Sequence, residues 1–436
     1  MGPAQDVAQL VAAAERMGVR TGVVVRDEEG GPPLFAARAG EAFAPASNLK
    51  LLTAIAVLEI LGPAFEFRTG FELRDGRLLV RASGDPNASS ETFFADAARA
   101  LRDKGIRAIA GIVLDPGAFG PAGKPPTWPA DQLDAWYCPP SGPFVLDLGD
   151  LTIRIEASSG PHAKVSLKSP ALDVPLRGQI SMSSRSKGAV YGAIDRGDSV
   201  LVRGRFWSRS LPVEIKVAMR DPEPWYRRAL ERALSREGIR IAAGARPPDG
   251  DVATVHGPLA PPLRRALRDS SNFDAEQLLR ALGAASGDGS LEGSLEAERR
   301  ALRRLVGNLP SEVVILDGSG LSAGNRVSPL FLVELIRAAL RGRGGALLLD
   351  SLPAGGESGT LEDRFEAGIV GDRVRAKTGW IRGASALSGV LLRADGGRRV
   401  FSILMNYDPG RSGLNKDLKL LQERMVRAMD LLPKAR

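Results

Sequence analysis

Apolar residues recur at helical spacing from Val7 to Met17, and the next stretch, TGVVVRDEEGG, reads as a strand ending in a turn. The chain therefore begins as a helix followed by a strand. Asn48 to Leu61, NLKLLTAIAVLEIL, is apolar over most of a helical surface and stops at Gly62-Pro63, which predicts a buried helix with a sharp end. Between about residues 63 and 255 the pattern changes to short β-like runs separated by turns, among them FELRDGRLLVRA, LTIRIEA, HAKVSLKS, SVLVRGRFW and LPVEIKVAM. Helical spacing returns from Ser270 to Leu282 and again near 296–306 and 330–341, with the Gly/Ser-rich stretch GAASGDGSLEGS expected as an exposed loop. Near the carboxyl end, VRAKTGWI and ALSGVLLRADGGRRVFSILMNYD predict three adjacent strands, two of them joined at Asp395-Gly396, before an amphipathic helix from Lys416 to Leu431. With the first helix and strand, these make a sheet built from both chain ends.

Composition narrows the function classes. A chain of 436 residues, 44% apolar and 25% charged, is long enough for two or three domains that each bury a core. The net charge of +8 is scattered, without a run of like charges or a nucleic-acid-binding signature, so no nucleic acid partner is expected. Such a surface is either simply solvated or drawn to an anionic polymer such as cell wall. Cys138 is the only cysteine, which excludes an intramolecular disulfide and a paired-thiol metal or redox site. No apolar run approaches the length of a transmembrane segment, and Asp6 and Glu15 interrupt what a signal peptide would need. An export signal is expected to have been removed from this chain or not to exist.

Candidate chemistry starts from what is missing. The two histidines, His162 and His256, lie in neither an HExxH nor a GxSxG context, so no zinc site, no other metal and no histidine-based serine triad is expected. A serine nucleophile then needs another base, and a lysine one helical turn away supplies it if its proton affinity is lowered. Ser47-Asn48-Leu49-Lys50 meets that requirement at the start of the buried helix, where three residues along returns to the same face. Ser184-Arg185-Ser186-Lys187 has the same spacing but sits in a polar stretch with no apolar periodicity behind it.

Two further elements follow in order: Ser270-Ser271-Asn272 at a helix start and Lys377-Thr378-Gly379 on a basic strand. Taken singly, Ser270 would be an ordinary helix cap and Lys377 a surface lysine. Taken together, Ser-x-x-Lys, Ser-x-Asn and Lys-Thr-Gly are the signature of penicillin-binding proteins and serine β-lactamases. In that arrangement a helix amino terminus and Lys377 both disfavour the Lys50 ammonium, so a neutral Lys50 takes the Ser47 proton. Ser270 would pass a proton to the leaving amine, and Asn272 would orient Lys50 or a substrate amide. Lys377 and Thr378 suit a terminal carboxylate, Gly379 permits close backbone approach, and the N–H groups of Ser47 and Trp380 suit an oxyanion hole.

With these motifs and the stretches PASNLKLLT, SGDPN, TWPADQLDAWYCPPSG, DGSGLSAGNRVSP and LPAGGESGTLEDRF, nearly the whole chain resembles the D-alanyl-D-alanine carboxypeptidase/endopeptidase family of low-molecular-mass class C penicillin-binding proteins, the penicillin-binding protein 4 type. The resemblance implies a transpeptidase/β-lactamase-like α/β core, an antiparallel sheet with helices on both faces, formed by residues 1–62 and 256–436. It implies that 63–255 is a β-rich insertion of two small domains. Peptidoglycan stem peptides are the implied substrate, β-lactam antibiotics the implied covalent inhibitors, no cofactor is required, and the implied location is periplasmic or extracytoplasmic. Asp131 or Asp134, beside Trp128-Pro129, is a possible counterpart of an acidic residue that contacts the stem peptide's third residue in relatives. One departure stands out: Trp380 occupies a place that is usually small or hydroxylated, which puts substrate preference and β-lactam affinity in question. A serine β-lactamase and a non-catalytic wall-binding protein remain as alternative readings.

Overall fold

The computed structural model describes residues 3–168, 172, 174–186, 188–365 and 370–434. Lys187, the lysine of the second Ser-x-x-Lys spacing, lies outside the described residues. The chain divides into two compact units, one of residues 1–65, 125–129 and 259–436, the other of 66–124 and 130–258. The short segment Pro125–Pro129, which lies inside the stretch 63–255, groups with the chain ends.

In the first unit, a five-stranded antiparallel sheet runs in the order Val374–Ile381, Ala384–Leu392, Arg398–Asn406, Arg20–Asp27, Phe35–Ala37. Its centre joins the two ends of the chain, with Val23 opposite Ile403 and Val25 opposite Phe401. These residues share one face because side chains directly opposite on antiparallel strands project together. That face is covered by the helices Pro3–Arg16 and Asn415–Asp430, whose Val7, Val11, Met425 and Met429 are buried in the same cluster. On the other face Gly22 lies against Phe43 and Pro329, and a Cβ there would come within 2.8 Å of the Pro329 ring. Pro329 opens the helix Pro329–Arg341. With both faces covered, Val23, Val24 and Val25 are all buried, so this strand is a continuous apolar run rather than an alternating one.

The helix expected from Asn48 to Leu61 is observed as a single 3₁₀ turn, Ala46–Leu49, leading into an α-helix, Lys50–Ile60, whose first nine residues are buried. The stretch 283–294, expected as an exposed loop, is mostly helical: one helix ends at Ala285 and the next begins at Leu291. Its glycines are there for close packing, since a Cβ on Gly283 would run into Ser294 and the Asp288 carbonyl, and one on Gly293 into the Asp288 carboxylate. Ser290 caps the second helix, accepting a hydrogen bond from the Gly293 N–H at 3.1 Å.

The second unit contains a four-stranded sheet (Gly250–Pro258, Glu66–Arg74, Arg77–Arg81, Gly111–Asp115), two three-stranded sheets within 150–218, and the helices Ala95–Asp103 and Pro222–Arg236. Many of its buried apolar side chains, from Phe71 to Val252, form one cluster.

Candidate active site

Ser47 sits in the 3₁₀ turn and Lys50 is the first residue of the α-helix behind it, so the three-residue spacing becomes one turn of a continuous helical path. Ala46 adopts a left-handed backbone, φ 47°, and a Cβ on Gly320 would run into its carbonyl. This non-glycine residue is thus held in a costly conformation by the segment pressed against it, a pattern found where a side chain must be aimed. The helix buries Lys50 to 1% exposure. Its Nζ is 3.0 Å from Ser47 Oγ, 2.7 Å from Asn272 Oδ1 and 2.7 Å from the Ser319 carbonyl.

Burial pushes the Lys50 amine down to about 7, against the opposing pull of Asp317 and Glu276. Desolvation, rather than the helix terminus or Lys377 expected from the motifs, is the leading cause. The Lys377 amine is also held well below its ordinary range, first by burial and then by the nearby Lys50.

Lys377 lies on the sheet's edge strand, fully buried, with its Nζ 2.9 Å from Ser270 Oγ and 3.0 Å from the Thr378 carbonyl. Asn48 Nδ2 donates to the Lys377 carbonyl at 2.9 Å, tying the serine turn to this strand. Gly379 passes so close to the turn that a Cβ would stand 2.8 Å from the Pro45 carbonyl, which explains the glycine. Ser270 is left-handed at φ 61°, and the helix cap is its neighbour Ser271, which accepts from the Asp274 N–H at 3.2 Å. Ser270 is thus spared the ordinary capping role and its hydroxyl meets Lys377.

These groups border a cleft of about 210 Å³ lined by Ser47, Ser270, Thr360, Thr378, Trp380 and Lys419, among others. Thr378 Oγ1 donates to Thr360 Oγ1 at 2.8 Å, and Trp380 stands 56% exposed at the rim. A second hollow of about 310 Å³, in the second unit, is walled by sheet residues such as Phe71, Glu72, Arg81 and Asp251 and pairs no nucleophile with a base. The structure therefore brings together Ser47, Lys50, Asn272, Ser270, Lys377, Thr378, Gly379 and Trp380. Asp131 is exposed on the short turn Ala130–Gln132 of the second unit.

Sequence reasoning gave no role to the acidic groups beneath Lys50. Glu276 accepts N–H bonds from Gly318 and Ser319, and Asp317 receives four, from Gly320, Ser322, the Asn325 amide and the Trp128 indole. Burial raises the Glu276 and Glu298 carboxyls to about 8 each. Thr53 Oγ1 lies 3.0 Å from Glu298 Oε1 and 2.9 Å from the Gly318 carbonyl. One hydroxyl hydrogen cannot serve both, so a protonated Glu298 donates to Thr53, which donates to Gly318.

A family model described as the D-Ala-D-Ala carboxypeptidase 3 (S13) family matches residues 4–426. The chain is 29% identical to a D-alanyl-D-alanine carboxypeptidase of an Actinomadura species over 94% of this chain and 82% of that one. It is 25% identical to the D-alanyl-D-alanine carboxypeptidase DacB of Haemophilus influenzae over 84% and 81% of the two chains. The crystal structure of penicillin binding protein 4 from Haemophilus influenzae superposes with a TM-score of 0.82 at 22% identity, covering 98% of this chain and 99% of that one.

Proposed function

The chain belongs to the D-Ala-D-Ala carboxypeptidase 3 (S13) family, and on that premise we propose that Ser47 is the nucleophile and Lys50 its base. It is a serine-type D-alanyl-D-alanine carboxypeptidase with the fold of penicillin binding protein 4.

The observation that carries the assignment is the set of three oxygens around Lys50 Nζ. As an ammonium, Nζ has three hydrogens, one for each oxygen. As a neutral amine it has two hydrogens and a lone pair. The Asn272 and Ser319 oxygens can only accept, so they take the two hydrogens and the lone pair falls toward Ser47, the one partner that can donate. A pKa near 7 leaves a large neutral fraction at physiological pH.

Ser47 Oγ then attacks the carbonyl carbon of the penultimate D-alanine as its proton moves to Lys50. The Ser270 hydroxyl, held by Lys377, hands a proton to the departing D-alanine nitrogen as the C–N bond breaks and takes in its place the proton that Lys50 received from Ser47, which leaves Lys50 neutral again. The leaving residue's carboxylate is received by Thr378 and Lys377, and its developing oxyanion neighbour by the backbone N–H groups of Ser47 and Trp380. Water then cleaves the acyl-enzyme along the same proton path.

Peptidoglycan stem peptides are the proposed substrates, with endopeptidase action on cross-links as a second output of the same site. β-Lactams are proposed to acylate Ser47, a reading supported by the solved complex of penicillin binding protein 4 with a β-lactam. Asp131 is proposed to contact the stem peptide's third residue, and residues 63–255, with the exception of Pro125–Pro129, to form the inserted β-rich region. The proposed location, outside the cytoplasmic membrane, follows from the substrate; no helix among the described residues is long and apolar enough to cross a membrane.

Intact-mass measurement after brief exposure to benzylpenicillin tests the assignment. A stable adduct is expected on the native protein and on Ser184→Ala, and none on Ser47→Ala. Absence of any adduct, with no D-alanine released from a pentapeptide, would sink it.

A further inference from the structure

The Ser319 carbonyl that takes one hydrogen of Lys50 belongs to a segment gripped from two sides. Glu276 lies on the helix Asn272–Ala285, one turn after Asn272, and is 1% exposed. Its Oε1 accepts the Ser319 N–H at 2.8 Å and the Gly318 N–H at 3.0 Å. Across the segment, Thr53 donates to the Gly318 carbonyl at 2.9 Å from the Lys50 helix itself. Gly318 is seated so tightly on the Glu276 helix that a Cβ would stand 2.9 Å from the Ala275 carbonyl. One helix thus supplies the Asn272 oxygen directly to Lys50 and, one turn later, fixes the backbone that supplies the other oxygen.

Resting on the acyl-enzyme reading above, we propose that Glu276 is a positioning residue for acylation: through the amides of Gly318 and Ser319 it aims the Ser319 carbonyl at Lys50, so that the base turns its lone pair to Ser47. Glu276 touches neither substrate nor nucleophile. Its role requires an acceptor at a fixed reach and does not require a charge. A glutamine can meet that requirement, because its one oxygen takes the two shorter bonds, from Ser319 at 2.8 Å and Gly318 at 3.0 Å, and gives up only the 3.1 Å arm from Gly318 to Oε2, whereas an aspartate keeps the acid and withdraws it by one carbon.

The test compares Glu276→Gln and Glu276→Asp with the native enzyme, separating the non-covalent dissociation constant for benzylpenicillin from the acylation rate constant by rapid-quench mass measurement. Glu276→Gln is expected to acylate within about threefold of native, and Glu276→Asp to lose on the order of 10²-fold in the acylation constant, with the dissociation constant unchanged in both. Cooperative thermal unfolding confirms that each variant is folded. Acylation by Glu276→Asp at the native rate, or a loss in Glu276→Gln as large as in Glu276→Asp, overturns the proposal. Failure of the native protein to label at Ser47 overturns instead the reading on which it rests.

Discussion

The two units bury different things. The first holds Lys50, Lys377, Asp274, Glu276, Glu298 and Arg399 at 1% exposure or less. The second centres on aromatic rings: Phe94 stacks edge-on against Tyr226 at 4.8 Å and against Phe93 at 5.2 Å, with Phe144 5.4 Å from Tyr226. Buried rings add stability through area and geometry, while buried ionisable groups cost it unless they are paired or neutral. The contrast teaches that the first unit accepts a stability penalty around the serine in order to hold amines and carboxyls away from their ordinary protonation states. The second also buries a few carboxylates, Asp85, Asp150 and Asp195, but its core is mainly apolar and aromatic.

The sharpest break of this contrast comes from Lys50→Met, which should reduce benzylpenicillin acylation by at least about 10²–10⁴-fold, with a small net change in melting temperature, since relief of a desolvated amine is offset by the hydrogen bonds lost to the Asn272 and Ser319 oxygens. Acylation within about tenfold of native would contradict the role of Lys50 as base. In the other unit, Phe94→Ala should cost about 3–5 kcal/mol in denaturant unfolding and leave the acylation constant of the folded fraction unchanged; an altered constant would show that the two roles are not separate.

Acylation of the native enzyme should rise with pH through about 7 and fall about tenfold per unit below it, because only the neutral form of Lys50 takes a proton. A flat profile between pH 5 and 7 would remove Lys50 from the role of base. The Glu298 carboxyl is raised from 4.5 to about 8 in the folded protein, so its stabilising share is complete below pH 4.5 and is lost as pH rises through about 8. Glu298→Gln should therefore lie within about 1 kcal/mol of native at pH 5 and be the more stable protein at pH 9, as thermal melts at the two pH values will show. The smallest change expected is at the rim, where Trp380→Thr should shift the KM for a D-alanyl-D-alanine peptide by about threefold and leave kcat in place; a kcat loss above tenfold would place the indole in the chemistry.

Much of the first unit was legible because its signals are local. The apolar runs around Val23–Val25 and 384–406 announce a sheet covered on both faces, and the three motifs announce the cleft. The acidic layer was hidden for a physical reason. In NFDAEQLLR, Asp274, Glu276 and Arg280 are residue types that a helix ordinarily presents to solvent, yet every residue from Phe273 to Gly283 is buried. A sequence gives no sign that a carboxyl will be neutral; only the desolvation that raises Glu276 and the single hydrogen of Thr53 reveal it. The segment 317–329 is part of the family likeness, but the role of the Ser319 carbonyl depends on a backbone atom, which no residue type encodes. Gly283 and Gly293 misled in the opposite direction, since glycine for tight packing and glycine for a loop are spelled alike.

The pairing of Arg20–Asp27 with Arg398–Asn406 also sets a schedule for synthesis. Strands so far apart in the chain cannot meet until the later one has left the ribosome, roughly ten to thirty seconds after residue 258 at ordinary elongation rates. Lys377 and the strand that carries it arrive in that same final interval. A nascent chain therefore carries Ser47 and Lys50 long before the strand that brings Lys377, and the complete constellation can assemble only when the chain is nearly finished.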